Sequence, residues 1–107
     1  MLTETRPCPR LDLAAPDVDE VTELAALLAD RTRAGILTLL RDGPHCVCEF
    51  AATFGERENN VSNHLTKLRN AGLVRASRHR ADARLRYYER DEEAIAAARA
   101  ALLEVLG

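Results

Sequence analysis

The sequence predicts a single, mostly helical domain that carries one small β-hairpin, in the element order ααααββα. Three observations lead to this prediction. Apolar residues recur at helical spacing in five stretches of the 107-residue chain. Glycine, proline or a capping Asp separates these stretches. Between the fourth and fifth stretches the apolar pattern changes to the period of two that is typical of β-strands.

The chain divides into an arm and a folded domain. Residues 1–16 hold three of the four prolines and show no periodicity, so we interpret them as a flexible N-terminal arm that carries Cys8. Residues 17–107 form the predicted domain and are enough for one modest core. Because the chain has no Trp and only four aromatic residues, we expect that core to consist of aliphatic side chains.

The first two helices are predicted from their caps. Asp17 or Asp19 can cap a helix that extends to about Ala29, and Asp30 can cap a second helix. The second helix is expected to end near Asp42-Gly43-Pro44, because this is a strong stop signal.

The third and fourth helices follow each other closely. A short helix is expected to begin near Cys46 and to end at Gly55, and the next runs from about Asn59 to Asn70. The residues of the fourth helix that are expected to face the core are Val61, Leu65 and Leu68.

Two strand-like runs, at residues 73–76 and 85–88, flank a basic turn at residues 77–84, and Asp91 can cap a last helix. A short helix, a tight turn, a second helix and a hairpin follow one another in the winged helix-turn-helix fold. The predicted fold is therefore a mostly α winged helix-turn-helix with a small β-hairpin.

Charge is distributed unevenly along the chain, although the net charge is only −2. Residues 57–90 hold nine Lys or Arg and three acidic residues, whereas the remainder holds six basic and fourteen acidic residues. A local basic segment on an acidic body is typical of nucleic-acid binding, although a solvated basic face would give the same pattern. No signal peptide or membrane-spanning run is visible, so we expect a cytoplasmic location.

Three segments resemble the ArsR/SmtB family of metal-responsive repressors. Leu28–Leu37 is similar to the segment with which the family begins its second helix, with Arg31 where the family usually has Pro. Cys46–Phe50 is similar to the family's CVCDL metal motif, and Asn60–Val74 to its recognition helix and the following strand. The three occur in the expected order, and the resemblance extends over roughly residues 21–106.

The resemblance implies a dimer that binds double-stranded operator DNA at an inverted repeat, with the fourth helix in the major groove. Asn and Ser both donate and accept hydrogen bonds at base edges, so the candidate readers are Asn59, Asn60, Ser62, Asn63 and His64. The candidate phosphate contacts are Lys67 and Arg69. The residues of the hairpin tip that are expected to enter or flank the minor groove are Arg78, His79, Arg80 and Arg84. The alternatives are a solvated helix face and a solubilising turn.

The cysteines are the candidate metal ligands. On a regular helix Cys46 and Cys48 would point about 200° apart, so they can share an ion only at a first turn that unwinds. That position lies at the positive end of the helix dipole, which is expected to favour the thiolate, the form that binds metal. The alternative is that both are small buried apolar residues.

The resemblance implies a third thiolate, and Cys8 is the only other sulfur ligand, unless it is a spectator on the arm. Three thiolates favour As(III) and also fit Pb(II), whereas Cd(II) would need a fourth ligand such as His45 or solvent. A second family site uses Asp and His on the last helix. The corresponding positions here, Asp91, Glu93, Glu104 and Gly107, include no His, so we expect no zinc sensing there.

We therefore expect a repressor that is released from its operator when a thiophilic ion binds, and no organic cofactor. A thiol redox switch on the same fold is one alternative. An enzyme is disfavoured because there is no oxyanion motif or Gly-rich phosphate loop, and a pure protein-interaction module is disfavoured by the basic segment.

Overall fold

A computed structural model describes residues 8–13, 17–77 and 86–107. In these ranges it has five α-helices, one 3₁₀ turn at Leu40–Asp42 and three strands. In chain order they are α1 (Val18–Leu28), α2 (Arg31–Leu39), β1 (His45–Cys46), α3 (Val47–Phe54), α4 (Glu58–Asn70), β2 (Val74–Ala76), β3 (Tyr87–Arg90) and α5 (Glu92–Leu106). The predicted fold class is confirmed.

Local capping explains where the helices begin and end. The side chains of Asp17, Asp30 and Asp91 each accept a hydrogen bond from a backbone N–H three residues later, at 3.0 Å. Gly55 ends α3 in the left-handed conformation, with φ of 65°, which costs glycine nothing. The predicted caps are therefore confirmed, except that the alternative Asp19 lies inside α1.

The hairpin carries a third strand that we did not predict. β2 and β3 pair antiparallel with Val74 opposite Arg90, and β1 adds to the other side of β3 with His45 opposite Tyr88. A strand of two residues has no period to detect, and its partner lies more than forty positions further along the chain. The basic tip with Arg78, His79, Arg80 and Arg84 lies outside the described residues.

The core is centred on α4 and is mostly aliphatic, as expected, but it also includes two of the four aromatic residues. Its buried residues are Ile36, Leu40, Phe50, Val61, Leu65, Leu68, Leu73, Val74 and Tyr88. The predicted inward positions of α4 are confirmed, since Val61, Leu65 and Leu68 are at most 1% exposed. None of the helices in the described ranges is long and apolar enough to cross a membrane.

The last helix is only partly covered. α5 has no fully buried residue, although Ile95 and Ala98 pack against the core. Val105, which continues the helical spacing of Ile95, Ala98 and Leu102 along one apolar stripe, is 44% exposed, and Leu103 and Leu106 are more exposed still. The stripe is thus covered in its first half and open in its second.

Candidate thiol site and nucleic-acid interface

The sulfur atoms of Cys46 and Cys48 lie 2.6 Å apart. They converge because Cys46 is the N-cap of α3 and not a helical residue. Its backbone is extended, with φ of −98° and ψ of 163°, whereas Cys48 lies in the first helical turn. The divergence of positions i and i+2 on a regular helix therefore does not apply, as expected for a pair at a helix start.

Glu49 and His45 surround this pair. One Glu49 carboxylate oxygen accepts the Cys46 backbone N–H at 2.9 Å, and the other accepts from His45 Nδ1 at 3.2 Å. The Cys46 hydrogen bond, followed by that of His45, holds the pKa of the Glu49 carboxyl below its usual value. The His45 ring also contacts Phe50 edge to face, with centroids 5.9 Å apart. Residue 46 is thereby fixed at the junction of β1 and α3.

Burial determines the protonation of Cys46. Desolvation, together with the hydrogen bond to Cys48, raises the pKa of the Cys46 thiol to about 11. The expectation that the helix start favours its thiolate is therefore wrong for Cys46. At 2% exposure the cost of burying a charge exceeds what the dipole of an eight-residue helix returns. An ion that binds this sulfur must displace its proton.

The structure does not bring Cys8 to this pair. Cys8 is exposed, whereas Cys46 is buried and Cys48 half-buried. In residues 8–13, 17–77 and 86–107, no group of three or more His, Cys, Asp or Glu is arranged to hold a metal ion. The structure thus contains two converging sulfurs, and a third ligand stays a prediction.

The predicted DNA-reading side chains lie on the outer surface of α4. The exposed residues are Asn59, Asn60, Ser62, Asn63, Lys67 and Arg69. Three buried residues anchor the opposite face, and these polar side chains are spread over the solvent-exposed half of the helix. The helix begins at Glu58, one residue earlier than expected.

A shallow groove of about 640 Å³ joins the two regions. It is lined by Cys48, Ala51, Ala52, Glu56, Arg57, Glu58 and Asn59. Cys48, Ala52 and Glu56 recur every four residues along α3 and its C-terminal turn. Cys48 of the thiol pair and the first turn of α4 therefore border one groove.

Residues 30–76 match the family described as bacterial regulatory protein, arsR family. The arsenical resistance operon repressor of Escherichia coli is 40% identical over 53 residues, 49% of this chain and 45% of that protein. A cadmium resistance regulator, the CadC homolog of Staphylococcus aureus, is 32% identical over 83 residues, 77% of this chain and 66% of that protein.

A crystal structure described as a possible transcriptional regulator for arsenical resistance has a TM-score of 0.63 and 35% identity. The match covers 78% of this chain and 79% of that one. The chain belongs to the ArsR family. It spans about half to two thirds of the length of the two curated relatives above. The family consists of regulatory proteins, in agreement with the prediction that the chain is not an enzyme.

The ArsR-family match runs from the cap of α2 to the end of β2. It includes the thiol pair and all of α4. Cys8, the hairpin tip and α5 lie outside it. The match therefore covers the thiol pair and α4 but neither Cys8 nor the hairpin tip, and the roles of all these residues stay predictions.

The structure corrects the expected orientation of His64. Its side chain is only 18% exposed and faces α2, where Arg33 donates to its Nδ1 at 3.2 Å. The carboxylates of Asp30 and Glu56 each lie 3.9 Å from the ring nitrogens. His64 therefore fixes α4 to the domain and does not project with the exposed polar residues.

Sequence reasoning missed Arg33 and Glu56, which contact His64. The Arg33 side chain is 12% exposed, although it carries a charge. The only signal was Arg33's place in the first family-like segment. Nothing in helical spacing relates it to a histidine 31 positions later.

Proposed function

We propose that this chain is a metal(loid)-responsive transcriptional repressor that binds operator DNA as a homodimer and is released by a thiophilic ion. The observation that carries the proposal is the convergence of the Cys46 and Cys48 sulfurs, 2.6 Å apart, at the start of α3. α3 leads into α4 through residues 55–57 alone. A change of geometry at the thiols is thus one short helix away from the DNA-reading surface.

As(III) is the ion that we favour. It takes three thiolates, and the proposed set is Cys46 and Cys48 with Cys8 supplied by the arm. The names of the similar proteins support two ions, since one is a repressor of arsenical resistance and another a cadmium resistance regulator. Cd(II) or Pb(II) at the same cysteines is therefore the alternative.

The DNA side of the proposal depends on α4. Asn59, Asn60, Ser62 and Asn63 are exposed near its N-terminal end, which a recognition helix presents to base edges. Lys67 and Arg69 are exposed further along and suit phosphate. We also propose phosphate or minor-groove contacts for Arg78, His79, Arg80 and Arg84, and an inverted-repeat operator.

A thiol redox switch is the second candidate, because two free sulfurs this close could form a disulfide. In that reaction an S–S bond would form and the O–O bond of peroxide would break, as two electrons and two protons pass from the thiols to peroxide and give two water molecules. We rank it below ion binding because the names of the similar proteins refer to arsenical and cadmium resistance.

The test uses duplex DNA selected from a random pool by the reduced, ion-free protein. Binding is followed by fluorescence anisotropy with arsenite, Cd(II), Pb(II), Zn(II) or hydrogen peroxide. We expect arsenite to release the DNA, and Cys46→Ser and Cys48→Ser to abolish that release. Cys8→Ser tests the third ligand separately. Release by peroxide alone would favour the redox switch, and release by Zn(II) alone would contradict the thiol site.

A further inference from the structure

Five side chains from three elements form a polar cluster next to the core. They are Asp30, Thr32 and Arg33 at the start of α2, Glu56 in the turn after α3, and His64 on α4. Four of them are at most one third exposed, namely Arg33 at 12%, His64 at 18%, Glu56 at 26% and Asp30 at 33%. Limited access to water strengthens interactions among such groups.

Arg33 and His64 join α4 to α2. A guanidinium is always charged and can only donate, so its 3.2 Å contact requires His64 Nδ1 to accept. Arg33 is itself held, because its Nε donates to the backbone oxygen of Leu27 at 2.6 Å. Asp30 lies beside both side chains. One of its carboxylate oxygens is 3.9 Å from Arg33 Nη1, and the other is 3.9 Å from His64 Nδ1. The orientation of α4 is thereby tied to a fixed point on α2.

Glu56 joins this pair to α3. Its backbone N–H donates to the carbonyl of Ala51 at 3.1 Å, so residue 56 belongs to the C-terminal turn of α3. One oxygen of its side chain accepts from the Thr32 hydroxyl, and the other lies 3.9 Å from His64 Nε2. A displacement at the end of α3 therefore acts on both contacts.

The same carboxylate shares the groove with Cys48, at the other end of α3. α3 is a single helix of eight residues, too short to absorb a change of tilt by bending. Thiol coordination that re-orients its first turn would therefore move its last one.

We propose that Glu56 couples the thiol site to the recognition helix. It moves with α3, and its contacts with Thr32 of α2 and His64 of α4 set the position of α4 against the domain. Glu56 is a positioning residue in this scheme and contacts neither ion nor DNA. The inference rests on the proposed function, whose ion and DNA sites it connects. Linkage requires that an ion weakens DNA binding by the same factor by which DNA weakens ion binding.

The experiment measures this factor in the full chain, with arsenite and with Cd(II), on the selected duplex described above. DNA affinity is measured with and without ion, and ion affinity from sulfur-to-ion charge-transfer absorption with and without DNA. For the unaltered protein we expect a coupling factor of about 5 to 150. For Glu56→Ala we expect the coupling factor to fall at least about fivefold, whereas the ion affinity of the DNA-free protein should change less than about twofold.

Glu93→Ala is the matched control, since it removes an exposed glutamate from the first turn of α5, away from the cluster. Thr32→Val removes the hydroxyl that donates to Glu56 and keeps a side chain of similar shape. If Glu56→Ala does not fold, the coupling factor of Thr32→Val tests the inference. Full coupling in both cluster variants would overturn the inference and leave the repressor function intact. If no ion changes the DNA affinity of the unaltered protein, both the inference and the proposed repressor function are overturned.

Discussion

At the scale of single residues, the thiol of Cys46 combines burial with a proposed metal-binding role that requires ionisation. Its pKa of about 11 leaves little thiolate at neutral pH. We therefore expect iodoacetamide at pH 7.5 to alkylate exposed Cys8 first and Cys46 last. The Cys46 rate should rise about tenfold per pH unit up to its pKa, because only the thiolate reacts. Peptide mass spectrometry measures each site, and urea should equalise them. Equal rates in the folded protein would refute the burial argument.

Asp30 supports a second prediction, because it caps α2 and also faces His64 and Arg33. Asp30→Ala should lower the free energy of unfolding by about 1 kcal/mol, the usual value of a lost N-cap. Asp30→Asn should lose less, since Asn also caps. Urea unfolding at several pH values measures both.

The pH dependence of this effect has a definite sign. The Arg33 backbone N–H, more than the nearby Arg33 guanidinium, lowers the pKa of Asp30 from its usual 3.8. A lowered pKa stabilises the fold fully above that usual value and progressively less as pH falls through the folded value. The difference between Asp30 and Ala should thus be constant from pH 7 to 5 and shrink below about pH 4. A difference that grows at acid pH would contradict this.

The sequence predicted only part of the candidate site. The thiol pair could be predicted, because its two members are separated by one residue and the geometry of a helix start is local. The inward orientation of His64 could not. It depends on Arg33 and Glu56, which belong to other elements, and polar contacts between elements leave no periodic trace in a sequence.

At the scale of elements, α2 and α3 pack closely at Gly35. A Cβ added there would lie 2.6 Å from Phe54 Cζ, well inside van der Waals contact. Gly35→Ala would ordinarily stabilise a helix by about 1 kcal/mol. Here we expect a net destabilisation of about 1 to 2 kcal/mol, because the ring of Phe54 packs against the core and must shift.

Thermal unfolding of three variants tests this contact. Gly35→Ala should lower the melting temperature, and Phe54→Leu should relieve the clash, so that Gly35→Ala costs less in that background. A rise in melting temperature for Gly35→Ala alone would mean that the ring moves aside freely and that the contact does not fix the helix spacing.

The elements themselves were more predictable than their contacts. Asp30 and Asp91 mark the starts of α2 and α5 because capping is local chemistry. β1 escaped prediction because the pairing of His45 with Tyr88 exists only once the hairpin has folded back. Its addition matters for the site, since it holds Cys46 in an extended conformation at the start of α3.

At the scale of the whole molecule, apolar surface remains on α1 and α5. Leu24 and Leu27 of α1 and Ala94 and Ala98 of α5 line a groove of about 430 Å³ between these two helices. Further along α5, Leu103 is 60% and Leu106 79% exposed. Apolar surface on a terminal helix suits the dimer that we propose, because a two-fold interface buries the same patch on both chains.

Leu103→Glu tests this assignment. A carboxylate at an apolar interface loses its hydration without a partner, so we expect the dimer dissociation constant to rise at least about tenfold. Ala100→Glu is the control, because it adds the same charge to α5 at an exposed position with a small side chain. Sedimentation equilibrium measures the association, and circular dichroism should show both variants folded, since neither residue is buried. Because two recognition helices must bind two half-sites together, DNA affinity should fall with dimerisation in Leu103→Glu alone. If Leu103→Glu keeps the mass and DNA affinity of the unaltered protein, this part of α5 is not the dimer interface.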